Sequence, residues 1–153
     1  MLERWHYLYS GLRVASELRV PEWQLFETSQ PFGQTDVVIR VESHIPTGNQ
    51  PVITAGLFSF HVPKVGRYVV KSGCEITVSP LPEADEREAR LFLLGSAWGA
   101  LCYQRGVLAL HAGVVQGDDY AVAFCGTSGA PTCCAAHRSG FYRAHAIGRR
   151  WMR

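Results

Sequence analysis

The run Phe124-Cys125-Gly126-Thr127-Ser128-Gly129-Ala130 joins an apolar stretch to a glycine-flanked pair of hydroxyls. A turn of that composition can aim backbone N–H groups at an anion. A complete phosphate loop, G-x-x-x-x-G-K-[ST], counted from Gly126, demands glycine at 131, lysine at 132 and serine or threonine at 133. The chain carries Pro131, Thr132 and Cys133 instead. Those positions hold the chemistry: the glycine lets N–H groups face the phosphates, the lysine neutralises them and the hydroxyl binds magnesium. Proline also deletes a backbone donor. The expected cradle is therefore Gly126, Thr127, Ser128 and Gly129, without its cationic half.

Other chemistry-bearing residues read more plainly. His111 lies in an apolar run, where a hydrogen-bonded core histidine is the ordinary role, and His44 and His61 read as surface residues. Asp118 and Asp119 are adjacent, so on a strand they diverge, and their place after Gly117 suits a hairpin turn better than a paired acid and base. Gly126-Thr127-Ser128-Gly129-Ala130 departs from the G-x-S-x-G nucleophile elbow at its last position, which argues against a hydrolase. Five cysteines, Cys74, Cys102, Cys125, Cys133 and Cys134, lack C-x-x-C spacing and read as free thiols. Neighbouring Cys133 and Cys134, with His137, make a poor metal site, and no metal is expected.

The 153 residues are 47% hydrophobic and 18% charged, enough for one sizeable core. The N-terminus lacks a basic patch followed by a long apolar run, and the longest uncharged apolar stretch, Leu91 to Gln104, is too short for a bilayer. A cytoplasmic protein without membrane attachment is the expectation. Residues 131 to 153 carry five arginines and no acidic residue, a charge of +5 within a total of +2 that leaves −3 on the rest. The tail lacks lysine and regular aromatic interleaving, so specific nucleic-acid binding is not expected.

The elements that must position the loop read as strands, then one helix, then two strands. Val37 to Val41 is a β-branched strand followed by the turn formers Pro46 to Pro51. Val52-Ile53-Thr54, Leu57 to Val62, Arg67 to Lys71 and Glu75 to Ser79, separated by Gly56, Gly66 and Gly73, predict an antiparallel meander. Its polar side is expected to carry Ser59, His61, Arg67 and Lys71. Acidic residues from Glu83 to Glu88 suit the positive end of a helix dipole, and Leu91, Leu94, Trp98 and Leu101 recur on one helical face. The helix should stop at Arg105-Gly106, and Gly95, Ser96, Ala97, Gly99 and Ala100 suggest close approach to a sheet. Val107 to Val115 and Tyr120 to Cys125 then read as two strands joined at Gln116-Gly117-Asp118-Asp119, the second apolar enough to be central and covered on both faces.

The segment Leu110 to Ala130 resembles HPr kinase/phosphorylase and its relatives, in which a histidine-bearing strand, a short turn and an apolar strand precede the nucleotide loop. The order of strands and a helix ending in arginine-glycine also resembles HPr-kinase-related proteins found beside bacterial ribosomal peptide clusters. The likeness covers roughly residues 84 to 130 and ends at Ala130. It implies a mixed α/β (α+β) chain with residues 1–130 as the N-terminal part of an HPr-kinase-like domain and 131–153 as an aberrant, disordered basic tail. It also implies ATP and magnesium as the cofactors of the intact family, a protein or peptide serine as phosphoacceptor, His111 as the counterpart of the family's strand histidine, and Gly126 to Gly129 as nucleotide contacts. The loop lysine, the magnesium hydroxyl and later paired aspartates have no counterpart here. The tail's composition is compatible with a shifted reading frame. Phosphoryl transfer is accordingly expected to be lost, with neither cofactor bound. A non-catalytic module that binds a peptide or protein through a sheet edge is the alternative, and exposed apolar strand surface predicts self-association.

Overall fold

The computed structural model describes residues 4–45, 50–110, 112–116 and 120–125. The chain divides after Leu108 into two compact units. The first holds a seven-stranded mixed sheet in the order β1-β2-β3-β7-β6-β5-β4, with β1 Trp5–Tyr9, β2 Leu12–Ser16, β3 Val37–Val41, β4 Val52–Ile53, β5 Leu57–Val62, β6 Gly66–Lys71 and β7 Glu75–Pro80. β1 and β2 form a hairpin on Ser10 and Gly11, both at positive φ (52° and 77°), the geometry whose twist matches flanking antiparallel strands. β2, β3 and β7 run parallel, and β7, β6, β5 and β4 form the expected antiparallel meander. The sequence reading did not anticipate β1, β2 or the parallel join.

Strand alternation gives the sheet two unlike faces. Tyr7, Val14, Val37, Ile39, Tyr68, Val70, Ile76 and Val78 share one face and are almost wholly buried. Over it lies one long helix: α1 Glu86–Phe92, a π-helical turn Leu93–Ala97, and α2 Trp98–Gln104. A 3₁₀ turn, Pro21–Phe26, adds Trp23, which sits 4.9 Å from Trp98 edge to face and stacks on Tyr9 at 4.3 Å. The aromatic side chains bring large apolar area together at the end of the core where β1 meets the helix. On the opposite face Ser59, His61, Arg67 and Lys71 do share one side, as expected from their spacing. His61 and Lys71 are exposed, whereas Ser59 is buried.

The helix ends as its sequence dictates. Asp85 caps the start, accepting from the Arg87 N–H at 2.7 Å, and Glu86 and Glu88 fill the first turn. At the far end Gly106 adopts φ +70°, its N–H donates to Tyr103 (3.0 Å) and the Val107 N–H donates to Cys102 (2.9 Å), the paired bonds of a Schellman stop. The face agrees in part, since Trp98 and Leu101 are buried and Leu94 packs against the core. Leu91 is 66% exposed, and the buried positions are Ala89, Leu93, Ala97, Trp98, Leu101 and Cys102. The wide π turn slips the phase by about one residue, which no straight 3.6-residue count includes. The small residues correct likewise: Ala97 packs in the core, but a Cβ at Gly95 or Gly99 would meet nothing within 4 Å. They leave space rather than admit a close sheet.

The second unit contains the hairpin β8 Ala112–Gln116 and β9 Ala121–Cys125, in register Ala112↔Cys125. Residues 107–110 carry no strand, so β8 starts later than its sequence suggested. Among the described residues β9 pairs with β8 alone, and Val122 is 42% exposed. An apolar run fixes neither the number of its neighbours nor the layers over it.

Candidate functional site

The four cradle positions, Gly126, Thr127, Ser128 and Gly129, lie outside the described residues, as do His111, Asp118, Asp119, Cys133, Cys134 and the tail. What the structure does give is the approach: β9 ends at Cys125, so an antiparallel strand runs into the glycine of the partial loop. A strand feeding a glycine turn is the local arrangement that a phosphate loop needs. The donor set beyond it does not fit a magnesium nucleotide. Thr132 is neutral where a cation must compensate phosphate charge, Cys133 supplies a thiol where a hard hydroxyl oxygen is needed, and Pro131 has no N–H. Among the described residues, no three His, Cys, Asp or Glu side chains gather closely enough to hold a metal ion.

The first unit has a site that the sequence reading assigned to packing. An open groove of about 400 Å³ runs between the β4 end of the sheet and the helix. Ile53 and Phe58 line it from the sheet, while Ser96, Gly99, Ala100 and Tyr103 line the helix side. These four helix positions recur at steps of three and four, so they form one stripe, and the empty space above Gly99 keeps the groove open. No charged side chain lines it. Its signal was present in the sequence as Ser96, Gly99, Ala100 and Tyr103, but the same spacing also fits a helix packed tightly on a sheet.

The two sheet edges are treated differently. Along β1, the Thr28 N–H donates to the His6 carbonyl at 2.8 Å and Tyr7 bridges Glu27, so the chain covers part of its own edge. At β4, the Thr54 N–H donates to the Leu57 carbonyl at 2.8 Å and the Leu57 N–H donates to the Thr54 hydroxyl at 3.0 Å, which closes the turn between β4 and β5. Antiparallel alternation then turns the N–H and C=O of Ile53 away from β5, to a side on which no strand pairs among the described residues. Ile53 is 75% exposed.

The charged groups of the first unit are mainly structural. Arg13 and Asp36 form a two-pronged pair at 2.9 and 3.0 Å, and the same carboxylate accepts the Arg13 backbone N–H at 2.9 Å. These hydrogen bonds lower the Asp36 pKa to about 2. Glu75 bridges Arg40 and Lys71, and Arg90 ties the helix to Glu22 at 3.2 Å. Cys74 is exposed and Cys102 buried, both as free thiols, and burial pushes the Cys102 thiol up. No helix among the described residues is long and apolar enough to cross a membrane. No protein-family model, curated protein or solved structure matches the chain.

Proposed function

We propose that this chain descends from an ATP-dependent serine kinase of the HPr-kinase-related type and is silent in phosphoryl transfer. The observation that carries the reading is the junction at Cys125-Gly126, where β9 of a hairpin ends against the first glycine of the partial loop. Phosphoryl transfer asks little covalent chemistry of a protein and depends on positioning and charge neutralisation of the moving group. Gly126 to Gly129 retain the amide half of that apparatus. Thr132 and Cys133 lack the cation and the magnesium hydroxyl, so a bound triphosphate would keep its charge uncompensated. His111, which by resemblance belongs beside the loop, has no reacting group to serve in its absence.

Titration of labelled ATP with magnesium tests this. The expected result is no saturable binding by the chain and measurable binding by the triple variant Pro131→Gly, Thr132→Lys, Cys133→Ser. Saturable, magnesium-dependent binding by the unaltered chain contradicts the silent loop. A folded triple variant that gains no binding contradicts the assignment of the lesion to these positions.

A further inference from the structure

We propose that residues 27–32 form an acid-releasable strap across the β1 edge, latched by neutral His6. The β1–β2 hairpin turns on two residues, so Tyr9 and Leu12 are a hydrogen-bonded pair, and alternation leaves the N–H and C=O of His6, opposite Ala15, pointing away from β2. The strap takes that carbonyl through the Thr28 N–H at 2.8 Å. The Thr28 hydroxyl is committed as well, lying 3.5 Å from the same carbonyl and 3.2 Å from that of Gln30. Tyr7 faces the core, so the His6 ring stands on the opposite side of the sheet, where Phe32 meets it edge to face at 5.8 Å. Its Nδ1 is buried and has no hydrogen-bond partner.

A neutral imidazole tolerates this site, with its one N–H on Nε2 and a bare lone pair on Nδ1. A second proton turns Nδ1 into a charged donor that needs an acceptor or water. None of the described carboxylates beside it is free to serve. Just past β2, Glu17 gives one oxygen to Arg4 at 3.2 Å and the other to the Val41 N–H at 3.1 Å, and Asp36 is held by Arg13. On the strap, Glu27 pairs with Tyr7 and so lies on that residue's face, away from His6. Arg4 and Arg13, on the His6 side, are donors only. Protonation therefore favours the lifted strap, in which Nδ1 reaches water. The orphan donor weighs about tenfold against the closed form, more than the roughly threefold that a cation on the Phe32 ring returns. Because the closed form binds fewer protons, closure strengthens as pH rises and is lost on acidification. Histidines charge between about pH 5 and 8, above the window in which Asp36 titrates, and nothing in the latch draws on the nucleotide loop.

The test uses the full chain labelled with nitrogen-15 and follows two signals by NMR from about pH 8 to pH 5: the ring nitrogens of His6 and hydrogen exchange at the Thr28 amide. After correction for the intrinsic pH dependence of exchange, Thr28 protection should fall about tenfold on acidification, in step with the His6 ring titration. His6→Phe keeps a ring against Phe32 and His6→Gln keeps a polar side chain, yet neither takes up a proton in this range. Both should hold Thr28 protection constant where the wild type loses it. Thr28 protection that ignores the His6 titration overturns the proposal, which keeps the wild type decisive even where a variant folds poorly. An equal loss in either folded variant overturns it too. So does a His6 ring that charges while Thr28 stays protected, since Nδ1 has then found water by turning over beneath a closed strap.

Discussion

Replacing Asp36 by asparagine tests how the parallel part of the sheet is joined. Asp36 precedes β3 and Arg13 lies in β2, so their pair ties together strands that no local turn connects. Backbone bonding runs alongside it, with the Asp36 N–H donating to the Arg13 carbonyl at 2.8 Å. The shift of the Asp36 carboxyl from 3.8 to about 2 sets a ceiling of about 2.5 kcal/mol, at ~1.4 kcal/mol per pKa unit. The side chains are 25% and 41% exposed, and solvent screening brings this down to about 1 kcal/mol. Because the folded-state value is depressed, the contribution is present above the unfolded value near 4 and lost as pH falls toward 2. Urea unfolding, followed through the fluorescence of buried Trp23 and Trp98, should show Asp36→Asn weaker by about 1 kcal/mol at neutral pH, with the gap closing between about pH 4 and pH 2. A gap that is absent at neutral pH, or unchanged at pH 2, refutes the reasoning.

Two further substitutions test the sheet and its lid. Gly66→Ala would place a Cβ 2.5 Å from the Ser79 carbonyl oxygen and 2.8 Å from the Pro80 Cα, at φ +155°, so unfolding titrations should show a loss of about 2–3 kcal/mol. Tyr68→Phe removes a buried hydroxyl that donates to the Ala89 carbonyl at 2.9 Å, which should cost about 1 kcal/mol at neutral pH. Burial raises the Tyr68 pKa from 10.0 to about 12, so the wild type should lose stability as pH climbs through that window while the phenylalanine variant loses less.

The local elements were legible where a single short stretch decides them. The acidic run before Arg87 and the Arg105-Gly106 stop bracket the helix, and glycines at 56, 66 and 73 mark turns of the meander. What required distant residues stayed hidden. Nothing near Val14 or Val37 says that they lie side by side, because β2 and β3 meet in parallel across the Pro21–Phe26 turn. The β1–β2 hairpin had a local signal in Ser10-Gly11, but flanking aromatic residues obscure the alternation that would have exposed it. Of the expected helix face, Leu94, Trp98 and Leu101 do meet the core, and Leu91 falls outside it because the phase through the π turn depends on how Leu93 and Ala97 settle there. The groove was legible only as a stripe of small residues, and whether such a stripe touches a sheet or faces open space is decided by where β4 ends.

The placement of β7 between β3 and β6 also governs how the chain comes off the ribosome. Once β3 has emerged, its free margin must wait for Glu75–Pro80, while the intervening ladder of β4 to β6 is made. Until that late strand slots in, Val37, Ile39 and Val41 offer an unmet template in a half-made protein. Slower translation across residues 42 to 80 is therefore expected to lengthen the time for which β3 lacks its neighbour on that side.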